Sequence, residues 1–571
     1  MFLPTTKQEI EELGWSQLDV ILVTGDAYID SPYIGVAVIG KVLLNAGYRV
    51  GVIAQPALNV PDDILRLGEP RLFWGVTGGS IDSMVANYTA SLKKRRRDDY
   101  TPGGINDCRP DRAVIVYANL IRQYFKKTKP IVLGGIEASL RRVAHYDYWS
   151  DSIRRSILFD AKADFIAYGM SERSIVELAK SFQKGSDYRD IRGICYIAPH
   201  KPEDALELPA YEKVQNNPKA FTRMFHEFYL NNDARSDRRL CQKYTTRWLV
   251  HNPPALPLSQ AELDEVYNLN YERNVHPYYA KQGPVKALET IQFAVTTHRG
   301  CYGECNFCAI GIHEGRTVQW RSPESVINEV RSFSTMPNFK GIVTDVGGPT
   351  ANMYGFECPQ KLKSGSCKQK RCICPEICPQ LPVSHKKQME LLTKLRALPG
   401  VRKVFVASGI RHDLVLADKK WGRKYLREVI AEHTSGQMKI APEHIVPKVL
   451  QLMGKPNHDM LINFIKLFYS YTRAVGKKQF LTYYLIAAHP GCTYQDMVKL
   501  KSFATNFMKI TPEQVQIFLP APSTYSALMY YTELNPFTGE KIFVAKSLHQ
   551  KEIQKNVVTS KKEIQFQNSN K

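Results

Sequence analysis

The stretch Ile291-Gln-Phe-Ala-Val295, continued through Thr296-Thr-His298 into Arg299-Gly-Cys-Tyr-Gly-Glu-Cys-Asn-Phe-Cys308, decides the reading of this chain. An apolar, strand-like run feeds a loop carrying Cys301, Cys305 and Cys308 in the spacing C-x3-C-x2-C. Thiolate is a soft ligand. Three of them on one tight loop can hold three irons of a 4Fe-4S cluster and leave the fourth open to a substrate or cofactor. Gly300 and Gly303 permit the sharp backbone path that such a loop needs.

Downstream the same strand-then-helix alternation occurs six times. The strand candidates are 291–295, 341–346, 404–407, 437–440, 480–486 and 515–519, with helices between them signalled by apolar residues three and four apart, as in Leu461, Ile465 and Phe468. Repeated βα units imply parallel strands joined by right-handed crossovers. A six-unit partial (β/α) barrel over residues 285–545 fits. Its reacting groups belong on the loops that leave the carboxyl ends of the strands.

The cysteine spacing is the signature of the radical S-adenosylmethionine (radical SAM) enzymes, and most of the chain resembles the YgiQ family among them. The resemblance rests on the six barrel loops, the cysteine-rich stretches, Gly75-Val-Thr-Gly-Gly-Ser-Ile-Asp-Ser-Met84 and Tyr100-Thr-Pro-Gly-Gly104. It implies that Cys301, Cys305 and Cys308 hold a 4Fe-4S cluster and that S-adenosylmethionine (SAM) binds its open iron. Gly347 and Gly348 then meet the SAM amino group, although the glutamate usual after them is Pro349 here. Arg411 is placed to pair with the SAM carboxylate, since a guanidinium recognises that group bidentately, and Ser408 to reach the ribose. Glu443, His444 and His489 end two further strands and are candidates for positioning substrate or handling protons, or for structural burial.

A second group, Cys358, Cys367, Cys372, Cys374 and Cys378, lies within 21 residues. Tetrahedral thiolate sites accept zinc or iron-sulfur. The family's spacing points to Cys358, Cys367, Cys372 and Cys378 as the ligands, in an insertion at 358–378, of either an auxiliary iron-sulfur cluster or zinc.

Residues 1–200 read as a parallel α/β domain of flavodoxin type, with strands near 19–23, 47–53, 72–76, 130–133 and 164–168. Two of its loops, Gly134-Gly-Ile-Glu137 and Tyr168-Gly-Met-Ser-Glu172, resemble those of cobalamin-binding domains. The cobalt-ligand pattern D-x-H-x-x-G is absent, and the family's Asp-His-Pro is Asp30-Ser31-Pro32. A domain of cobalamin-binding ancestry that no longer holds cobalamin is expected. Residues 201–284, rich in proline, read as a connecting region over the barrel mouth, and 546–571 as a polar basic tail. The fold class is therefore α/β, a flavodoxin-like domain followed by a radical SAM barrel.

Of the net charge of +22, +19 lies in the last 221 residues. That asymmetry suits a polyanion such as RNA, or only a solvated lysine-rich surface. No run approaches the roughly 20 apolar residues of a spanning helix, and the start lacks a signal-peptide layout. A cytoplasmic location without membrane contact is expected, and the cysteines read as ligands rather than disulfides. The implied partner is a low-potential electron donor of flavodoxin or ferredoxin type. Three functions follow: radical chemistry on a polyanion, radical chemistry on a small metabolite or protein side chain, or iron-sulfur binding for redox sensing without turnover.

Overall fold

The computed structural model describes residues 1–512 and 515–560. Its first layer is built around β1 (Val20–Thr24), all five residues of which are buried. Helix α1 (Gly35–Asn45) crosses to β2 (Val50–Ala54), and β3 (Phe73–Thr77), β4 (Ile131–Gly134) and β5 (Phe165–Ala167) follow, all parallel. Their spatial order is β2-β1-β3-β4-β5, the doubly wound flavodoxin arrangement. Continuous apolar runs form these strands because helices cover both faces. Complete burial of each valine, isoleucine or leucine in β1 contributes roughly 1.5–3 kcal/mol.

The sheet does not stop there. After helix α2 (Glu172–Lys184), which ends on a left-handed Gly185, β6 (Ile194–Ala198) turns antiparallel to β5. Then β7 (Leu206–Leu208), β8 (Leu240–Tyr244) and β9 (Arg247–His251) complete nine strands in the order β2-β1-β3-β4-β5-β6-β9-β8-β7. The expected connecting region is thus corrected: 201–251 supplies three strands of the first sheet. Between β7 and β8, Tyr229 also reaches the cysteine loop, its Oη donating to Glu304 at 3.2 Å, and the segment after β9 meets the barrel mouth where Tyr267 Oη accepts a 2.9 Å hydrogen bond from Arg299 Nε.

The second unit is an open parallel barrel. Its strands are β10 (Ala294–Thr296), the broken pair β11 (Ile342–Val343) and β12 (Asp345–Gly347), β13 (Lys403–Val404), β14 (Gln437–Glu443), β15 (Phe480–Ala487) and β16 (Gln516–Ile517). Pairings β10–β12, β11–β13, β14–β15 and β15–β16 are parallel, and the Ile410–Ile440 bridge joins the third position to the fourth. The first strand begins three residues later than its apolar run suggests, because Ala287–Ile291 is helical.

A small hairpin that follows β4, His145–Asp147 paired with Ser152–Arg154, meets the end of the barrel, with Tyr146 and Tyr148 against Tyr530 at ring separations of 5.8 and 5.9 Å. The stretch expected to be a polar tail contains helix α3 (Leu548–Thr559), opened by a Ser547–Gln550 capping box. Its Lys551 is buried, and Nζ donates to Tyr148 and Tyr530 at 2.9 and 2.8 Å. Helix α3 therefore ties both units together. The rest of the expected tail, 561–571, lies outside the described residues.

Candidate active site

The cysteine loop leaves β10 at its carboxyl end. Gly300 has φ 78°, and a Cβ there would stand 2.2 Å from the Thr317 carbonyl oxygen, so only glycine fits. Cys301, Cys305 and Cys308 are all half-buried. Gly303 N–H donates to Cys301 Sγ at 3.3 Å. A Cβ on Gly303 would lie within 4 Å of Cys301 Sγ, of Cys305 Sγ and of Arg411 Nη1. Two sulfurs and a guanidinium thus converge over one glycine. Burial pushes the Cys301 and Cys308 thiols up, and the neighbouring sulfurs push them further. Thiols so crowded become thiolates when a cationic metal centre compensates them, so the donor set fits an iron-sulfur cluster. Among the described residues no three or more Cys, His, Asp or Glu side chains are drawn into a closed metal cage, the triad included.

Gly347, Gly348 and Ser408 line one cavity with Asp345. A Cβ on Gly348 would meet the His298 ring and carbonyl at 2.6–2.7 Å, which explains that glycine by close approach. Asp345 accepts from the backbone of Ala407 and Ser408 at 2.7 and 3.1 Å, and from the Ser408 hydroxyl. Arg411 does not share that wall. Its guanidinium is paired with Asp413 and holds Nη1 3.9 Å from Cys305 Sγ. The two carboxylates that fix Ser408 and Arg411 were not singled out in the sequence. Asp413 stands two residues after the arginine it neutralises, which is the only local signal.

The remaining candidates separate. His489 is fully buried between the Ser526 hydroxyl, 2.7 Å away, and the Pro490 carbonyl, 2.9 Å away. His444 is equally buried, accepts from Val446 N–H and lies 3.6 Å from Cys492 Sγ. Both have structural partners. Glu443 closes β14 at a register shift with φ 65°, and its carboxyl is near Lys455, Arg411 and Cys308. Burial raises its pKa.

In the second group Cys358 is buried, Cys372 and Cys378 half-buried and Cys367 exposed. Cys358 and Cys372 pack with Tyr302 and Cys301 in a small apolar cluster, and Lys361 Nζ lies 3.9 Å from Cys372 Sγ. Arg371 donates to the Glu304 carbonyl and to Asn306, at 2.9 and 2.6 Å. The second cysteine loop is thereby laid over the first.

Residues 2–294 match the family model described as radical SAM N-terminal, residues 295–504 the radical SAM superfamily, and residues 513–566 a domain of unknown function, DUF3362. UPF0313 protein FN0734 of Fusobacterium nucleatum is 54% identical over 562 residues, covering 98% of this chain and 99% of its own. The UPF0313 protein of Thermotoga neapolitana is 49% identical over 566 residues, covering 98% and 99%. This chain belongs to the UPF0313 family of radical SAM proteins. UPF0313 proteins of this kind are YgiQ-like, and the chain is a radical SAM enzyme whose cofactors are a 4Fe-4S cluster and SAM. The UPF0313 fold also resembles the radical SAM methyltransferase TsrM of Kitasatospora setae, solved with cobalamin and a 4Fe-4S cluster, at a TM-score of 0.50 and 14% identity, covering 90% of this chain and 74% of that one. Among the described residues no helix is long and apolar enough to cross a membrane.

Proposed function

We propose that Cys301, Cys305 and Cys308 are the cluster ligands, and that SAM lies with its amino group at Gly347 and Gly348, its ribose at Ser408 and its carboxylate toward Arg411. The observation that carries this reading is the convergence of Arg411 on the triad, with Nη1 3.9 Å from Cys305 Sγ. Held by these three cysteines and reduced by a donor, the cluster would supply the one-electron chemistry by which SAM is cleaved to give radical hydrogen abstraction from an unactivated carbon. The chain's own part is to bind, orient and shield. Asp345 fixes the Ser408 hydroxyl, and His298 keeps the Gly348 backbone close by leaving no room for a side chain. Asp413 holds Arg411 in place through Nε and Nη2 and leaves Nη1 turned toward Cys305.

A low-potential donor of flavodoxin or ferredoxin type supplies the electron. Cys358, Cys367, Cys372 and Cys378 form a second site, for an auxiliary iron-sulfur cluster or zinc, laid against the first loop. For the substrate, the interior favours a small molecule or side chain. The basic excess that supports a polyanion, RNA included, lies in the sequence after residue 350, whereas the cavity beside Ser408 is edged by carboxylates.

The test is anaerobic reconstitution with iron and sulfide, reduction with SAM present, and an assay for 5′-deoxyadenosine. Wild type should form it, and Cys301→Ala/Cys305→Ala/Cys308→Ala should not. A fully loaded wild-type cluster that yields none, with or without cell-extract small molecules, would favour redox sensing without turnover.

A further inference from the structure

The two units meet across a cavity of about 490 Å³. It lies outside the carboxyl ends of β1 and β3, where the strand order of the sheet reverses and open α/β sheets bind their ligands. Its other wall is the barrel's Asp345, Gly347, Gly348 and Ser408. A molecule held there faces the loops proposed for SAM.

The walls select by charge. Arg299 is the one Lys or Arg among the described residues lining the cavity, and it is engaged by Glu172 and Tyr267. Four carboxyl groups line the same space. Asp26 is matched by the buried Arg109 at 2.8 Å and Glu172 by Arg299. Glu314 and Asp345 instead accept hydrogen bonds, from Gly300 N–H at 3.0 Å and from Ala407 and Ser408. An anion entering here would lose its hydration with no free cation to replace it. Apolar surface dominates the rest, through Ile34, Val36, Val76, Ile136, Met170 and Ile175.

The crevice does not suit a corrinoid, although TsrM, which shares the fold, was solved with one. Tyr33, on the loop after β1, reaches across the seam to Thr296 and faces Asp345. In the same loop Asp30 is held by Lys41 at 3.1 Å. The remaining volume is that of a drug-sized ligand, smaller than a corrin ring with its nucleotide tail. We infer that the sheet side of this cavity, next to the SAM proposed at Gly347, Gly348 and Ser408, is the substrate site and that it takes an uncharged or cationic, largely apolar small molecule in place of a corrinoid.

The chemistry at this site rests on the radical reading of the barrel, so binding is tested without turnover. Benzyl alcohol, benzylamine and benzoate are size-matched probes that differ in charge, and hydroxocobalamin is a fourth. They are titrated anaerobically into the full-length, iron-loaded protein and followed by ligand-observed NMR and gel filtration. The alcohol and the amine should bind saturably, and benzoate at least tenfold more weakly. Ile136→Trp and Met170→Trp, which fill the cavity from two loops, should each weaken the alcohol at least tenfold with iron content unchanged, and no cobalamin should be retained. Equal binding of benzoate, alcohol binding indifferent to both tryptophans, no saturable binding of any probe, or stoichiometric cobalamin retention would each overturn the inference. Failure of the same protein to form 5′-deoxyadenosine would instead count against the radical reading and leave the binding result standing.

Discussion

Arg411 and Asp413 are locked together beneath the cysteine loop, with Arg411 Nε 3.0 and 3.1 Å from the two Asp413 oxygens and Nη1 3.9 Å from Cys305 Sγ. Asp413 is fully buried. Removing one partner of a buried pair strands the other charge, at about 3–5 kcal/mol. Asp413→Asn should therefore lower the unfolding free energy by that order in a denaturant titration. Arg411→Lys keeps the charge but loses the planar fork, and should weaken SAM binding at least tenfold in equilibrium dialysis while leaving iron content near wild type.

Glu443 tests whether a strained backbone is kept for function. A non-glycine residue at φ 65° costs about 1–2 kcal/mol. Glu443→Gly should match or exceed wild type in thermal midpoint yet reduce 5′-deoxyadenosine formation at least tenfold. A fully active glycine variant would show that the carboxyl beside Cys308 and Arg411 has no part in the reaction.

The second cysteine loop is predicted to carry metal of its own. Cys372→Ala/Cys378→Ala should lose iron or zinc, by elemental analysis, relative to wild type while retaining the iron of the first site. Metal content unchanged by that pair would remove the proposal of a second site.

Acid should unfold the protein through its buried imidazoles. Burial lowers His145, His298 and His444 to about 4 and His489 to about 3. The unfolded chain takes up protons near pH 6.5 that the folded chain refuses, so this stability is present above that pH and lost as pH falls toward 4. Each group removes about 1.4 kcal/mol per pH unit in that window. Denaturant midpoints between pH 7 and 4.5 should fall accordingly. His145→Asn, far from the cysteine loop in sequence, should shallow the slope if the altered chain keeps its fold.

The parallel strands were legible because each is a short apolar run with helices to either side, and β1 to β5 fall within a few residues of their expected positions. What escaped was structure stabilised in other ways. Strands β8 and β9 read Leu240-Cys-Gln-Lys-Tyr244 and Arg247-Trp-Leu-Val-His251, an antiparallel hairpin with charged ends that carries no βα rhythm. Helix α3 buries Lys551 and Gln554 as well as Val558, so its inward face looks polar in sequence. The cysteine positions were visible, but the aim of Arg411 depends on a backbone path no spacing encodes. The cavity, whose walls lie hundreds of residues apart, has no linear signature.

Because that cavity is a seam rather than a pit in one domain, its two sides answer to different constraints. On the proposed reading the barrel side serves the cluster and SAM, and a change there costs the chemistry itself. The sheet side consists of strand-end loops such as Gly134-Gly135-Ile136 and Gly169-Met170-Ser171, which touch none of the three cysteines of the first loop in sequence. With the substrate on the sheet side, as inferred above, relatives that share the cysteine loop would change what they act upon by exchanging loops on the sheet, much as a tool keeps its motor and changes its jaw.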